Sequence, residues 1–97
     1  MLSTKQRSYL AGMASTDAVV THLGKGGPSA AFIQQLSALL AQHELIKVKF
    51  MDFKEEKKTI AAELAVSTKS ELVRIIGNTA IFYKQNPDPE KRAIELD

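Results

Sequence analysis

Ninety-seven residues, 44% hydrophobic and 25% charged, suit one globular domain with a single core and leave no room for a separate catalytic domain. The absence of cysteine excludes a disulfide framework, a cysteine-ligated zinc site, an iron–sulfur cluster and a thiol nucleophile together. The net charge of +2 is uneven: residues 1–50 carry Lys5, Arg7, Lys25, Lys47 and Lys49 against Asp17 and Glu44, whereas the acids Asp88, Glu90, Glu95 and Asp97 outnumber Lys91 and Arg92 at the end. A basic body with an acidic tail suits a polyanionic partner. No apolar run exceeds four residues, so neither a membrane helix nor a signal-peptide core is expected, and a cytoplasmic location follows.

Leu2 to Ala14 opens with Ser3 three places before Gln6, a capping box, and aligns Gln6, Tyr9, Leu10 and Met13 at helical spacing, which predicts a first helix. Ala18 to Leu23 is short, β-branched and stopped by Gly24, as a strand would be. After the loop Gly24-Lys25-Gly26-Gly27, Pro28 suits the first position of a second helix, whose stripe is Ile33, Leu36, Leu39 and Leu40 and which ends near Gln42. Leu45 to Phe50 alternates, with Ile46, Val48 and Phe50 on one face and Lys47 and Lys49 on the other. This predicts a half-buried strand with a basic wet face.

Asp52 and Glu55 repeat the capping-box spacing ahead of a third helix. Its inner stripe is Ile60, Ala61, Leu64 and Ala65, and Lys54, Glu55, Glu56, Lys57 and Lys58 are expected in solvent. Leu72–Ile76 and Thr79–Tyr83 are β-rich runs joined by Gly77-Asn78, a hairpin dipeptide. Beyond Lys84 the prolines Pro87 and Pro89 break periodicity, so residues 1–85 are read as the domain and 86–97 as a flexible or loosely docked tail with at most one helical turn. The order αβαβαββ implies an α+β fold, a compact two-layer domain with a four-stranded mixed sheet.

The glycine loop carries the clearest chemistry. Glycine at Gly24, Gly26 and Gly27 permits close backbone approach, the first turn of the following helix contains no acid to neutralise its dipole, and Lys25 adds a mobile ammonium. Such a G-x-x-G clamp suits a nucleic-acid phosphate, although a plain strand-to-helix turn would serve the same residues equally well. A Walker loop is excluded because no suitably spaced glycine pair precedes Lys-Ser or Lys-Thr, and a dinucleotide fingerprint fails at Ser29. Arg74 and Lys84 extend the basic set along the later strands. His22 and His43 stand apart from each other and from acidic pairs, so no metal site is expected; no nucleophile has its base, so no enzyme and no cofactor are expected either. Among the aromatics, Tyr9 and Tyr83 are the expected exposed ones.

The series Leu2-Ser3-x-Lys5-Gln6-Arg7-x-Tyr9-Leu10, Val19-Val20 to Leu23-Gly24-Lys25-x-Gly27, His43-Glu44-Leu45-Ile46-Lys47-Val48-Lys49, Ile76-Gly77-x-Thr79 and Phe82-Tyr83-Lys84 resembles the stand-alone bacterial CRM-domain proteins, the YhbY family. The resemblance runs from Leu2 to about Lys84. It implies an RNA-binding domain similar in fold to the C-terminal domain of bacterial translation initiation factor 3, acting as a monomer on ribosomal RNA of the precursor large (50S) subunit. The family's G-x-x-G loop maps onto Gly24, Lys25, Gly26 and Gly27, and its basic surface onto Lys5, Arg7, Lys25, Lys47 and Lys49. Two departures stand out: Asn78 occupies a position that is often basic in the family, and Lys84 stands where Arg is usual. The competing reading of the same basic face is a protein-interaction module that docks an acidic ribosome-assembly factor.

Overall fold

The computed structural model describes residues 2–96. Its elements are α1 (Thr4–Asp17), β1 (Val19–Leu23), α2 (Ala30–His43), β2 (Leu45–Phe50), a 3-10 turn (Lys54–Glu56), α3 (Lys57–Thr68), β3 (Glu71–Ile76), β4 (Thr79–Tyr83) and a second 3-10 turn (Pro89–Lys91). The expected α+β order holds. The sheet runs β1-β2-β4-β3, with β1 and β2 parallel across the α2 crossover and β4 antiparallel to both of its neighbours, so it is mixed as anticipated.

The first capping box forms in both directions: Gln6 N–H donates to Ser3 Oγ at 3.1 Å and Ser3 N–H to Gln6 Oε1 at 2.9 Å. Helix α1 continues past the predicted Ala14 to Asp17. Its buried side is Leu10, Ala11 and Ala14 rather than the line through Gln6 and Tyr9, because the alanines let the helix sit close to the sheet; Tyr9 stays 52% exposed.

Helix α2 begins two residues later than Pro28 suggested. Ser29 is the N-cap, its hydroxyl accepting Phe32 N–H at 3.1 Å, and Pro28 lies outside the helix. The second predicted capping box does not form at all. Phe53 turns into the left-handed region at φ 56°, Asp52 Oδ1 accepts the adjacent Phe53 N–H at 2.9 Å, and a 3-10 turn intervenes before α3. Lys57, expected in solvent, instead donates to Gly77 O at 2.7 Å and Asn78 Oδ1 at 3.2 Å, tying α3 to the β3–β4 hairpin.

Alternation divides the sheet's side chains between two cores. On one face Ile46, Val48, Phe50, Ala80 and Phe82 pack under α2 and α3 with Leu36, Leu40, Ala61 and Leu64. Each large side chain here that is fully enclosed stabilises the fold by about 1.5–3 kcal/mol. On the other face Leu45, Val73, Ile81 and Tyr83 meet Leu10, Ala11 and Ala14 of α1. Helix α1 thus adds a partial third layer to the two layers expected, and the rest of that face is left open.

Strand β3 carries a bulge between Leu72 and Arg74. A bulge leaves carbonyls without ladder partners; Arg7 Nη1 supplies donors to them, reaching Val73 O at 3.0 Å and also Leu72 O.

The segment after Lys84 is attached more closely than its polar sequence suggested. Glu44, only 1% exposed, accepts the backbone N–H groups of Asn86 at 2.7 Å, Ala93 at 2.7 Å and Ile94 at 3.1 Å, while Ile94 enters the α1 core. Arg92 Nε closes the excursion on Asn86 O at 2.8 Å. Asp97 lies outside the described residues.

Candidate nucleic-acid interface

The glycine loop is a turn closed by Gly27 N–H on Gly24 O at 3.0 Å. Its three glycines are not equivalent. Gly27 has φ 63° and is buried, and a Cβ there would stand 3.2 Å from the Phe53 ring, so this glycine serves the turn and its packing. Gly24 and Gly26 avoid the left-handed region, and a Cβ on either would meet nothing within 4 Å. Neither torsion nor packing demands glycine at these two positions, which leaves two stretches of bare, exposed backbone around the exposed Lys25.

Ser29 N–H is taken by Gly27 O at 2.8 Å and Phe32 N–H by the Ser29 hydroxyl, so the first-turn amides without an intrahelical acceptor are those of the exposed Ala30 and Ala31. No acid stands in that first turn.

Strand register builds the second part of the site. On the face that α1 leaves open, one row across the sheet is His22, Lys49, Thr79 and Ile76, and the next is Val20, Lys47, Ile81 and Arg74. These eight positions hold two lysines, an arginine and a histidine, and no carboxylate. Ile81 is covered, Lys47 and Thr79 are half-buried, and the other five are exposed. The first row ends beside the glycine loop, since Leu23 pairs with Phe50, Met51 N–H donates to Leu23 O at 2.9 Å, and Phe50 N–H donates to Asn78 O at 2.7 Å. The side-chain ammonium groups of Lys25, Lys47 and Lys49 form no hydrogen bond or ion pair among the described residues.

The remaining basic candidates are differently placed. The Arg7 guanidinium is occupied by the β3 bulge, and Lys84 Nζ donates to Thr68 O at 3.1 Å, capping the end of α3. Arg74 Nη2 donates to Ser8 Oγ at 3.3 Å and stays exposed. Lys5 lies beside Tyr9, Glu95 and Leu96, at the end of the strands away from the glycine loop. Tyr83, expected in solvent, is 4% exposed and its hydroxyl has no partner among the described residues. Burial first, then the Glu44 carboxylate, raise its pKa above the ordinary 10.0, with Arg92 opposing.

Among the described residues no group of three or more His, Asp or Glu side chains gathers to hold a metal, and no helix is long and apolar enough to cross a membrane. His22 was not among the residues singled out for binding, yet its place in the Lys49 row was readable from strand alternation once pairing was known. Phe53, 36% exposed, was not among the aromatics expected in solvent, and its ring meets Gly27, a glycine far earlier in the chain.

The sheet, covered on one face by α2 and α3 and only in part on the other by α1, defines a small α+β domain with an open basic face beside a glycine loop. The chain belongs to the CRS1 / YhbY (CRM) domain family, whose model matches residues 2–84. It is 36% identical to the Bacillus subtilis (strain 168) protein named Probable RNA-binding protein YqeI, over 99% of each chain. A Haemophilus influenzae protein named RNA-binding protein is 33% identical over 90% of this chain and 89% of its own. The solution structure of a hypothetical Staphylococcus aureus protein, itself described as a presumptive RNA binder, superposes over the whole of both chains with a TM-score of 0.81 at 35% identity.

Proposed function

We propose that this chain binds structured RNA through its backbone phosphates, and that the RNA is ribosomal RNA of the maturing large subunit. The observation that carries the reading is the run of His22 on β1, Lys49 and Lys47 on β2 and Arg74 on β3 across one face of the sheet, without a carboxylate, beside the bare backbone at Gly24 and Gly26. Ammonium and guanidinium groups spaced along a sheet match the repeating charge of a phosphate chain, and the loop amides with Lys25 add a cradle for one phosphate.

Lys25, Lys47, Lys49 and Arg74 are the phosphate contacts in this reading. Arg7 and Lys84 act through the fold, since their heads are bonded to backbone carbonyls, and Lys5 contributes only to the long-range field. The protein acts as a monomer, in the cytoplasm, without a cofactor and without catalysing a reaction.

The test is titration of labelled ribosomal RNA fragments at several salt concentrations. With about four to six contacts, log affinity should fall against log salt with a slope of roughly −3 to −4, at about −0.7 per contact. A slope near zero, or capture by a ribosomal particle that survives nuclease, would mean that the basic face docks an acidic protein instead.

A further inference from the structure

Among the described residues, Glu44, Lys69 and Phe53 are the non-glycine residues with positive φ. Lys69 ends α3 in the left-handed conformation, which is ordinary there, and Glu44 ends α2 at φ 63° and ψ −36°, outside that region, with its N–H bonded to Leu40 O. Phe53 ends no helix, and the left-handed conformation is costly for an aromatic residue. What it achieves is a position: the edge of the ring lies against Gly27, with Cε2 3.2 Å and Cζ 3.3 Å from where a Cβ would stand, while 36% of the residue remains in water. Met51, two residues earlier, is 55% exposed and is held at the start of the glycine loop by its N–H bond to Leu23 O. An aromatic ring and a thioether chain therefore stand uncovered beside the exposed Gly24, Lys25 and Gly26.

We propose that Phe53, with Met51 beside it, is a stacking site for the base of one unpaired nucleotide whose phosphate lies on the Gly24–Gly27 loop. This rests on the RNA-binding reading and deepens it. Charge sets the direction of the nucleotide. The hollow beyond the ring is lined by Asp52, Lys54, Glu55 and Glu56, three carboxylates to one ammonium, so it repels a phosphate but tolerates an uncharged base. Lys25 and the bare loop backbone belong to the turn of Gly27, against which the ring edge rests, and favour the phosphate. A base in the middle of a duplex has both faces occupied by its neighbours, so the site selects single-stranded loops, bulges or ends.

The experiment compares the full-length protein with Phe53→Leu and Phe53→Trp, using a labelled unstructured RNA of about a dozen nucleotides and a duplex of the same length. Phe53→Leu should weaken single-strand binding about 5- to 100-fold, leave duplex binding within about twofold and keep the salt slope, because stacking releases no counterions. Phe53→Trp should restore the affinity. Ultraviolet crosslinking of the unmodified protein to the same single strand, followed by peptide mass analysis, gives a readout independent of the variants' folding, and the nucleotide should be found on the peptide containing Phe53. Equal affinity of Phe53→Leu for the single strand, equal loss on both RNAs, failure of tryptophan to rescue, or crosslinks confined to other peptides would each overturn the stacking site. If Lys47→Glu with Lys49→Glu still abolished binding, RNA recognition would stand without it; wild-type protein that bound neither RNA would overturn both.

Discussion

Glu44 accepts the backbone N–H of Ile94, fifty residues later in the chain, at 3.1 Å, and the same carboxylate oxygen takes Ala93 N–H at 2.7 Å. One buried side chain thus holds both ends of the final segment, with Asn86 on its other oxygen. Glu44→Ala leaves these donors without their acceptor, and the loss should be about 2–3 kcal/mol. Deleting residues 89–97 should lower the melting temperature by several degrees, because Ile94 leaves the α1 core and Leu10, Ala11 and Ala14 lose part of their cover. Thermal unfolding followed by circular dichroism checks both; an unchanged melting temperature would mean that the segment contributes no stability.

Two kinds of basic residue should separate when stability and RNA affinity are measured on the same variants. Arg7→Ala removes the donor to the Val73 and Leu72 carbonyls and should cost about 1.5–3 kcal/mol of stability, with little change in salt slope among molecules that remain folded. Lys47→Ala with Lys49→Ala should leave stability within about 1 kcal/mol, weaken every RNA tested and flatten the salt slope by about 1.4 units. A reversed pattern would move the binding face to α1.

The loop glycines allow a sharper comparison. Gly26→Ala meets open space at an ordinary torsion, so folding stability should stay within about 0.5 kcal/mol, with any gain coming from a less flexible unfolded chain. Gly27→Ala faces both a positive φ and the Phe53 ring, and should destabilise by about 1–2 kcal/mol. Reduced RNA affinity in Gly26→Ala, with stability intact, would identify close backbone approach at the loop; unchanged affinity would make it a plain turn. Lys25→Ala should behave as a surface change in stability and flatten the salt slope by up to about one unit.

Tyr83 offers a pH test. Its hydroxyl is enclosed without a partner among the described residues, so Tyr83→Phe should be neutral or stabilising by up to about 1 kcal/mol. The folded-state pKa lies above the unfolded value of 10.0 because burial and Glu44 disfavour the phenolate. The folded state therefore keeps its proton where the unfolded chain releases it, and the associated stability is complete below about pH 10 and is lost as pH rises through the folded pKa. Denaturant titrations between pH 8 and 11 should show wild type falling relative to Tyr83→Phe at the alkaline end; parallel curves would rule this out.

How far the site was legible can be judged residue by residue. Lys47 and Lys49 declared their face because a strand's period of two is written in six consecutive residues, and Ser3 with Gln6 declared a helix start for a similarly local reason. The Gly24–Gly27 turn was legible as a loop, but the division of labour among its glycines was not, because only the Phe53 ring distinguishes Gly27 from Gly26. Arg7 and Glu44 were read as a surface cation and part of a family block. Their partners, Val73 and Ile94, lie 66 and 50 residues away, a distance at which local patterning carries no information. Asp52 and Glu55 had the right spacing for a cap, and tertiary packing of Phe53 overrode it.

The bonds from Arg7 to the β3 bulge also impose an order on the chain's biogenesis. Helix α1 is made before β2, β3 and β4, yet its apolar side rests on Leu45, Val73, Ile81, Tyr83 and Ile94, all of them later in the chain. Until β3 and β4 have emerged, the helix has a capped start and, of these partners, only Leu45 of β2 to lie on, while β1, α2 and β2 already have one another. Helix α1 therefore completes its docking only after the strands that follow it, and its apolar stripe stays open until they are made.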